Sequence, residues 1–203
     1  MLRFIPSFIR LPLPNGTFVI DNVPFFSQQM DRQNYLTEGF HTFNQVHYWQ
    51  YRMSPIVCLK MAIAYYGQKI YTLRELIDYG IYINAYREDI GWIHRGLVQI
   101  ARHYGIRASR MSLGGHINHI ARHIMQHHLV MASVAGGFEW GNAGQLVVVF
   151  GVKVENHQVS HFLVHHSGPV PERELPEHWV SREQFLQSFS KAGNIIVLAK
   201  EAG

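Results

Sequence analysis

A chain of 203 residues, 47% hydrophobic and 13% aromatic, is long and apolar enough for one domain with a full core, which excludes a disordered tail. Net charge is only +4, from 18 Lys+Arg against 14 Asp+Glu, with no run of five like charges and no basic-aromatic repeat, so a nucleic-acid partner is not expected. One cysteine, Cys58, excludes an intramolecular disulfide and a zinc site built on several thiolates; with no stretch near the ~20 apolar residues of a membrane span, a reduced cytoplasmic location without membrane contact is expected.

The opening MLRFIPSFIRLPLPNG is broken by Pro6, Pro12 and Pro14 and does not read as a signal peptide. Residues 1–22 read as an extended lead-in suited to an edge strand, and Val23 to Phe26 as a short strand. Ser27 to Arg52 is polar, aromatic and irregular, and carries no assignment. From Ser54 the pattern turns helical. Ile56, Leu59, Ala62 and Ile63 recur at helical spacing behind Pro55, which suits a first turn, and a helix is expected from Pro55 to Tyr66. Thr72 with Glu75 three residues on forms a capping box ahead of LRELIDYG. Ile93, Leu97, Ile100 and Ala101 share one face of a helix that stops at Gly105, and Ile117, Ile120, Ile124 and Met125 share one face of another. The periodicity then changes. LVMASVAG, QLVVVFGVKV, HFLVHHSG and NIIVLAKE are β-branched runs separated by turn residues, with a short helix in SREQFLQSFSKAG before the last. Helices first and an antiparallel sheet afterwards make an α+β fold, expected as a single domain over residues 1–203.

The blocks VPFFSQ, SPIVCLKMAIAYYG, GWIHRGLVQIARHYGI, HHLVMASV, GQLVVVFGV, FLVHHSG and F…AGNIIVL, in that order, resemble the bacteriocin-processing, C39-like cysteine peptidases along nearly the whole chain. The resemblance implies a papain-like fold, with an N-terminal helical lobe packed on a C-terminal antiparallel β-sheet. In that family the first helix opens with a nucleophilic Cys followed by Gly, as in CGIACLKM…YYG. The sheet supplies a His in a Gly-His-apolar phrase and a strand that ends in Asp-Pro. Such an enzyme needs a thiolate lowered in pKa by a helix N-terminus and an imidazolium, and a third group to orient the imidazole. Here Ser54-Pro55 stands at the Cys-Gly position, Gly144-Gln145 at Gly-His, and His166 at the Asp. Gln28 matches the side chain that helps form the family's oxyanion hole.

Several residues carry two readings. Cys58, one helical turn after Ser54, is either a relocated nucleophile or a buried small apolar residue. Ser54 is either activated by His166 or an N-cap in front of Pro55. Gln145 is either a structural amide or a ligand for a peptide carbonyl. His119, His123 and His127, spaced by four, are either weak metal candidates or the solvent face of an amphipathic helix, with His161, His165 and His166 as remote ligands. Trp92, His94 and Trp140 either wall a binding groove for peptide side chains or serve as core and loop plug.

The expected protein is a catalytically inactive pseudopeptidase, without cofactor, that binds a peptide or protein segment in its vestigial groove. One alternative is an active hydrolase or acyltransferase using Cys58 or Ser54 with a histidine; a one- or two-residue slip of strand register would bring His157, His161 or His165 into the groove. The other is a His-dependent metal-binding module.

Overall fold

A computed structural model describes residues 11–30, 34–67, 69–135, 138, 144–168, 174–189 and 193–201. In chain order the elements are β1 (Gly16–Val19), α1 (Phe43–Gln50), α2 (Ser54–Gly67), α3 (Leu73–Tyr82), β2 (Tyr86–Arg87), β3 (Gly91–Trp92), α4 (His94–His103), β4 (Ile106–Ser112), α5 (Asn118–Met125), β5 (Leu129–Ala135), β6 (Gly144–Glu155), β7 (Gln158–Ser167), β8 (Glu174–Ser181), α6 (Arg182–Ser188) and β9 (Asn194–Lys200). The four strands expected from β-branched runs correspond to β5, β6, β7 and β9. Trp140 lies outside the described residues.

The main sheet runs β4-β9-β5-β6-β7-β8, antiparallel throughout, and β1 joins β6 over Gly151–Val154 as the edge-strand reading of the lead-in expects. Side chains of a strand alternate between faces, yet every residue from Leu146 to Phe150 is buried. Both faces of β6 are therefore covered, and α2 and α5 are the helices packed against it. That double burial explains why the run reads as continuous apolar sequence rather than alternation. The outer strand β8 is protected differently. It carries Pro176 and bulges where Glu177 takes a positive φ of 50°.

Several expectations are corrected. Val23 to Phe26 is not a strand, because the Val23 carbonyl oxygen accepts from the His165 ring rather than from a neighbouring chain. The unassigned region contains α1, whose Thr42 and Gln45 complete a capping box of the same kind that marks α3. The small hairpin β2–β3 and the strands β4 and β8 were not foreseen either. The helix expected from the run Ile117 to His128 is shorter: α5 ends at Met125, and His127 has left-handed backbone with φ 58°. No helix among the described residues is long and apolar enough to cross a membrane.

The helical side is tied together by a charge. Lys60 of α2 is only 3% exposed and is paired with Glu38, and its ammonium lies 4.6 Å from the centre of the Phe26 ring. The other Glu38 oxygen accepts from the Leu73 N–H at 2.8 Å, in the first turn of α3. One carboxylate thus neutralises a buried cation and satisfies a helix N-terminus. Glu38→Gln is expected to lower stability by about 3 kcal/mol in urea unfolding, because Lys60 would be left buried without a counter-charge. Asp78→Asn, which breaks the exposed Arg74–Asp78 pair, should cost no more than about 0.5 kcal/mol.

Candidate functional site

The first two turns of α2 are hydrogen-bonded to one residue of β6, Leu146. Leu146 N–H donates to Ser54 Oγ at 3.4 Å, and Cys58 Sγ–H donates to Leu146 O at 3.2 Å. Leu146 lies before the β6–β7 ladder, which begins at Val148↔His165, so α2 side chains take the place of a neighbouring strand there. Ser54 is the first helical residue and not the N-cap: the first backbone bonds of α2 go to the carbonyl of Met53, which accepts from Ile56 and Val57 at 2.9 Å each. Cys58 is fully buried, and burial pushes its thiol far above the ordinary range. Among the described residues neither Ser54 nor Cys58 is hydrogen-bonded to a histidine.

In front of this turn lies a cleft of about 300 Å³, lined by Ser54, Trp92, His94, Ser133 and Gln145 among others. Gln145 sits near the start of β6, opposite Val134 of β5, and its Oε1 accepts from Nε2–H of the buried His166 of β7. Two of the three positions singled out in the sequence therefore line one cleft, with the third behind them. Their polarity is reversed relative to a nucleophile–base–orienter set: the histidine stands at the back and donates, and the cleft-facing group is an amide. An amide cannot take a proton near neutral pH.

Trp92 donates from Nε1 to Arg52 O at 2.9 Å, and its ring packs with Trp49 and Tyr86. A Cβ at Gly80 would come within 2.5 Å of that ring, so the glycine is what lets the wall settle against α3. Across the cleft, Ser133 Oγ lies 3.0 Å from His94 Nε2. Sequence reasoning missed Ser133. Its only mark is a hydroxyl in the otherwise apolar LVMASVA strand. Gln28 is not among the cleft-lining residues: its Nε2 donates to Gln50 O at 2.6 Å, and its Oε1 accepts from Ser167 Oγ at 2.9 Å. This buried amide ties the segment before α1 to the last residue of α1 at one end and to β7 at the other.

Known structures share this arrangement of elements. A Bacillus anthracis protein described as a C39-like peptidase superposes with a TM-score of 0.58 at 16% identity, over 93% of this chain and 100% of that one. A double glycine motif protease from the AMS/PCAT transporter, solved in complex with the leader peptide, gives a TM-score of 0.52 at 14% identity, over 94% of this chain and 98% of the other. The fold is that of the C39-like peptidases. No family model matches the sequence, and no curated protein matches it either.

Within this C39-like fold the remaining histidines stand away from the cleft. His165 is buried between Phe25 and Phe150, donates from Nε2 to Val23 O at 3.0 Å and accepts at Nδ1 from Glu177 N–H at 3.1 Å. It is a neutral strut. His157 Nδ1 bonds Leu13 O at 2.8 Å, and His161 contacts Ser160. A slipped register that would bring any of these three into the groove is not what the strands adopt. His127 has left the helical stripe, and His123 instead faces His128, with Nδ1 atoms 3.5 Å apart. Among the described residues no group of three or more His, Cys, Asp or Glu side chains converges to hold a metal.

Two outcomes are expected from this geometry. Iodoacetamide near pH 7 should leave Cys58 unmodified in the folded protein and label it on unfolding, as read by intact mass. Burial, then the neighbouring His128 and His119, holds His123 down to about 4 from an ordinary 6.5. The unfolded chain therefore takes up that proton first as pH falls. The stability contributed by neutral His123 is complete above about pH 6.5 and is lost as pH drops toward 4. His123→Gln should flatten that portion of the curve of thermal midpoint against pH.

Proposed function

We propose that this protein is a pseudopeptidase of the C39-like kind, one that binds a peptide or protein segment in the cleft without Cys–His–Asp cleavage. The observation that carries the reading is the Gln145–His166 pair. With Oε1 occupied by His166, Gln145 offers a bound chain its amide Nε2 as a neutral donor, and Ser54 offers a hydroxyl whose oxygen already accepts from Leu146. Such donors suit the carbonyl groups of an extended peptide and supply no base for attack on them. Trp92 and Tyr86 form an aromatic wall for its side chains. The leader peptide bound to the double glycine motif protease supports a peptide as the class of partner. The free, buried Cys58 suits a reducing compartment, and the reading locates the protein in the cytoplasm with neither nucleic acid nor membrane as partner.

Panning a displayed random-peptide library against the protein, then titrating synthetic winners by calorimetry, tests the reading. Binding in the micromolar range is expected, with the peptides intact by mass spectrometry after prolonged incubation. Gln145→Ala should weaken binding about tenfold, the loss of one buried hydrogen bond. The reading falls if peptides are cleaved at a rate that Ser54→Ala abolishes, or if Gln145→Ala leaves their affinity unchanged.

A further inference from the structure

The loss of a base beside Ser54 does not leave the cleft without nucleophile–base geometry. Ser133 projects from β5 and His94 is the first residue of α4, 39 residues apart in sequence, and Oγ and Nε2 meet at 3.0 Å. Both groups line the same cleft as Ser54 and Gln145, so they are reachable by whatever enters it. This is hydrogen-bonding reach for a general base, a contact that Ser54 does not make among the described residues. Burial, with a smaller contribution from Arg110, keeps the His94 imidazole below its usual pKa, so near neutral pH it is neutral and able to accept a proton.

We propose that Ser133 and His94 form a nucleophile–base pair that accepts an acyl group from an activated ester or thioester. This goes beyond peptide binding and does not depend on it. Ser133 Oγ attacks the carbonyl carbon, its proton passes to His94 Nε2, and the bond to the leaving alkoxide or thiolate breaks. That leaving group takes the proton from His94, and an ester remains on Ser133. Water then attacks the ester carbonyl, gives its proton to Nε2, and the bond to Oγ breaks. Ser133 departs with that proton, and the free acid is released. The Ser54 hydroxyl and the Gln145 amide are donors in the same cleft for the carbonyl oxygen. Esters and thioesters fit better than peptide bonds, because their leaving groups demand less of an imidazolium.

The probe is p-nitrophenyl acetate. An initial burst approaching one p-nitrophenolate per protein is expected, with a single acetyl group located on Ser133 by peptide mass spectrometry. Ser133→Ala should remove the burst, and His94→Gln should slow it at least about tenfold. A readout independent of turnover comes from Ser133→Cys, which preserves the site's size. Iodoacetamide should alkylate the introduced thiol at least about tenfold faster than in the same variant carrying His94→Gln, with buried Cys58 as an unreactive control. An acetyl group on Ser54, on His94 itself or on surface lysines overturns the proposal. So does an introduced thiol whose alkylation ignores His94. Either failure leaves the peptide-binding reading to stand or fall by its own titration.

Discussion

Everything in the molecule is arranged around a helix that has almost no solvent face. Ten consecutive residues, Ser54 to Ile63, are buried, and such a helix must satisfy its polar atoms internally. It does so at two ends of the problem. Lys60 reaches Glu38, which in turn holds the start of α3, while Ser54 and Cys58 attach the first two turns to the two polar backbone atoms of Leu146. The second attachment fixes the cleft. It holds the helix N-terminus against the one stretch of β6 that no strand of β7 covers.

The chemistry of the cleft follows from which atom at each position donates and which accepts. Behind the opening, His166 donates to Gln145, so what the cleft presents from β6 is an uncharged amide. On the other wall the only imidazole among the described lining residues belongs to His94, placed against a hydroxyl from β5. The amide thus stands on the α2–β6 side of the cleft and the serine–histidine contact on the α4–β5 side. A protein that binds extended chains on one set of donors and holds a serine–histidine contact on the other is internally consistent. The two use different atoms of one cavity.

The sequence made the strongly periodic and strongly capped parts of the fold legible. The α2 boundaries came within one residue at each end, because Pro55 and Gly67 punctuate them, and α3 was marked by its Thr72–Glu75 box. The same signal at Thr42 and Gln45 was present but hidden in aromatic, polar surroundings that gave no apolar period. The strands β4 and β8 were missed because they are outermost and mostly polar, paired along one edge only. At the site, the family resemblance drew attention to Ser54, Gln145 and His166, and the strand register brings them to one place. Ser133 escaped because nothing local distinguishes a lone strand hydroxyl. Its partner lies on another element, and only tertiary structure pairs them. The histidine stripe failed for a local reason, the left-handed turn at His127 that ends its helical spacing.

The lead-in strand carries a further consequence. β6 is 12 residues long, and β5 covers only its first half on one edge, through Val149. β1 occupies the remainder, from Gly151 to Val154, so the molecule completes its own sheet with a segment from before its first helix. A chain clipped after Ile20 would present four vacant ladder positions, Gly151 to Val154, an adhesive seam to which an unrelated extended segment, or the lead-in of a second copy, would add as a strand. The first described strand, none of whose residues is fully buried, therefore guards a sheet edge more than it builds the core.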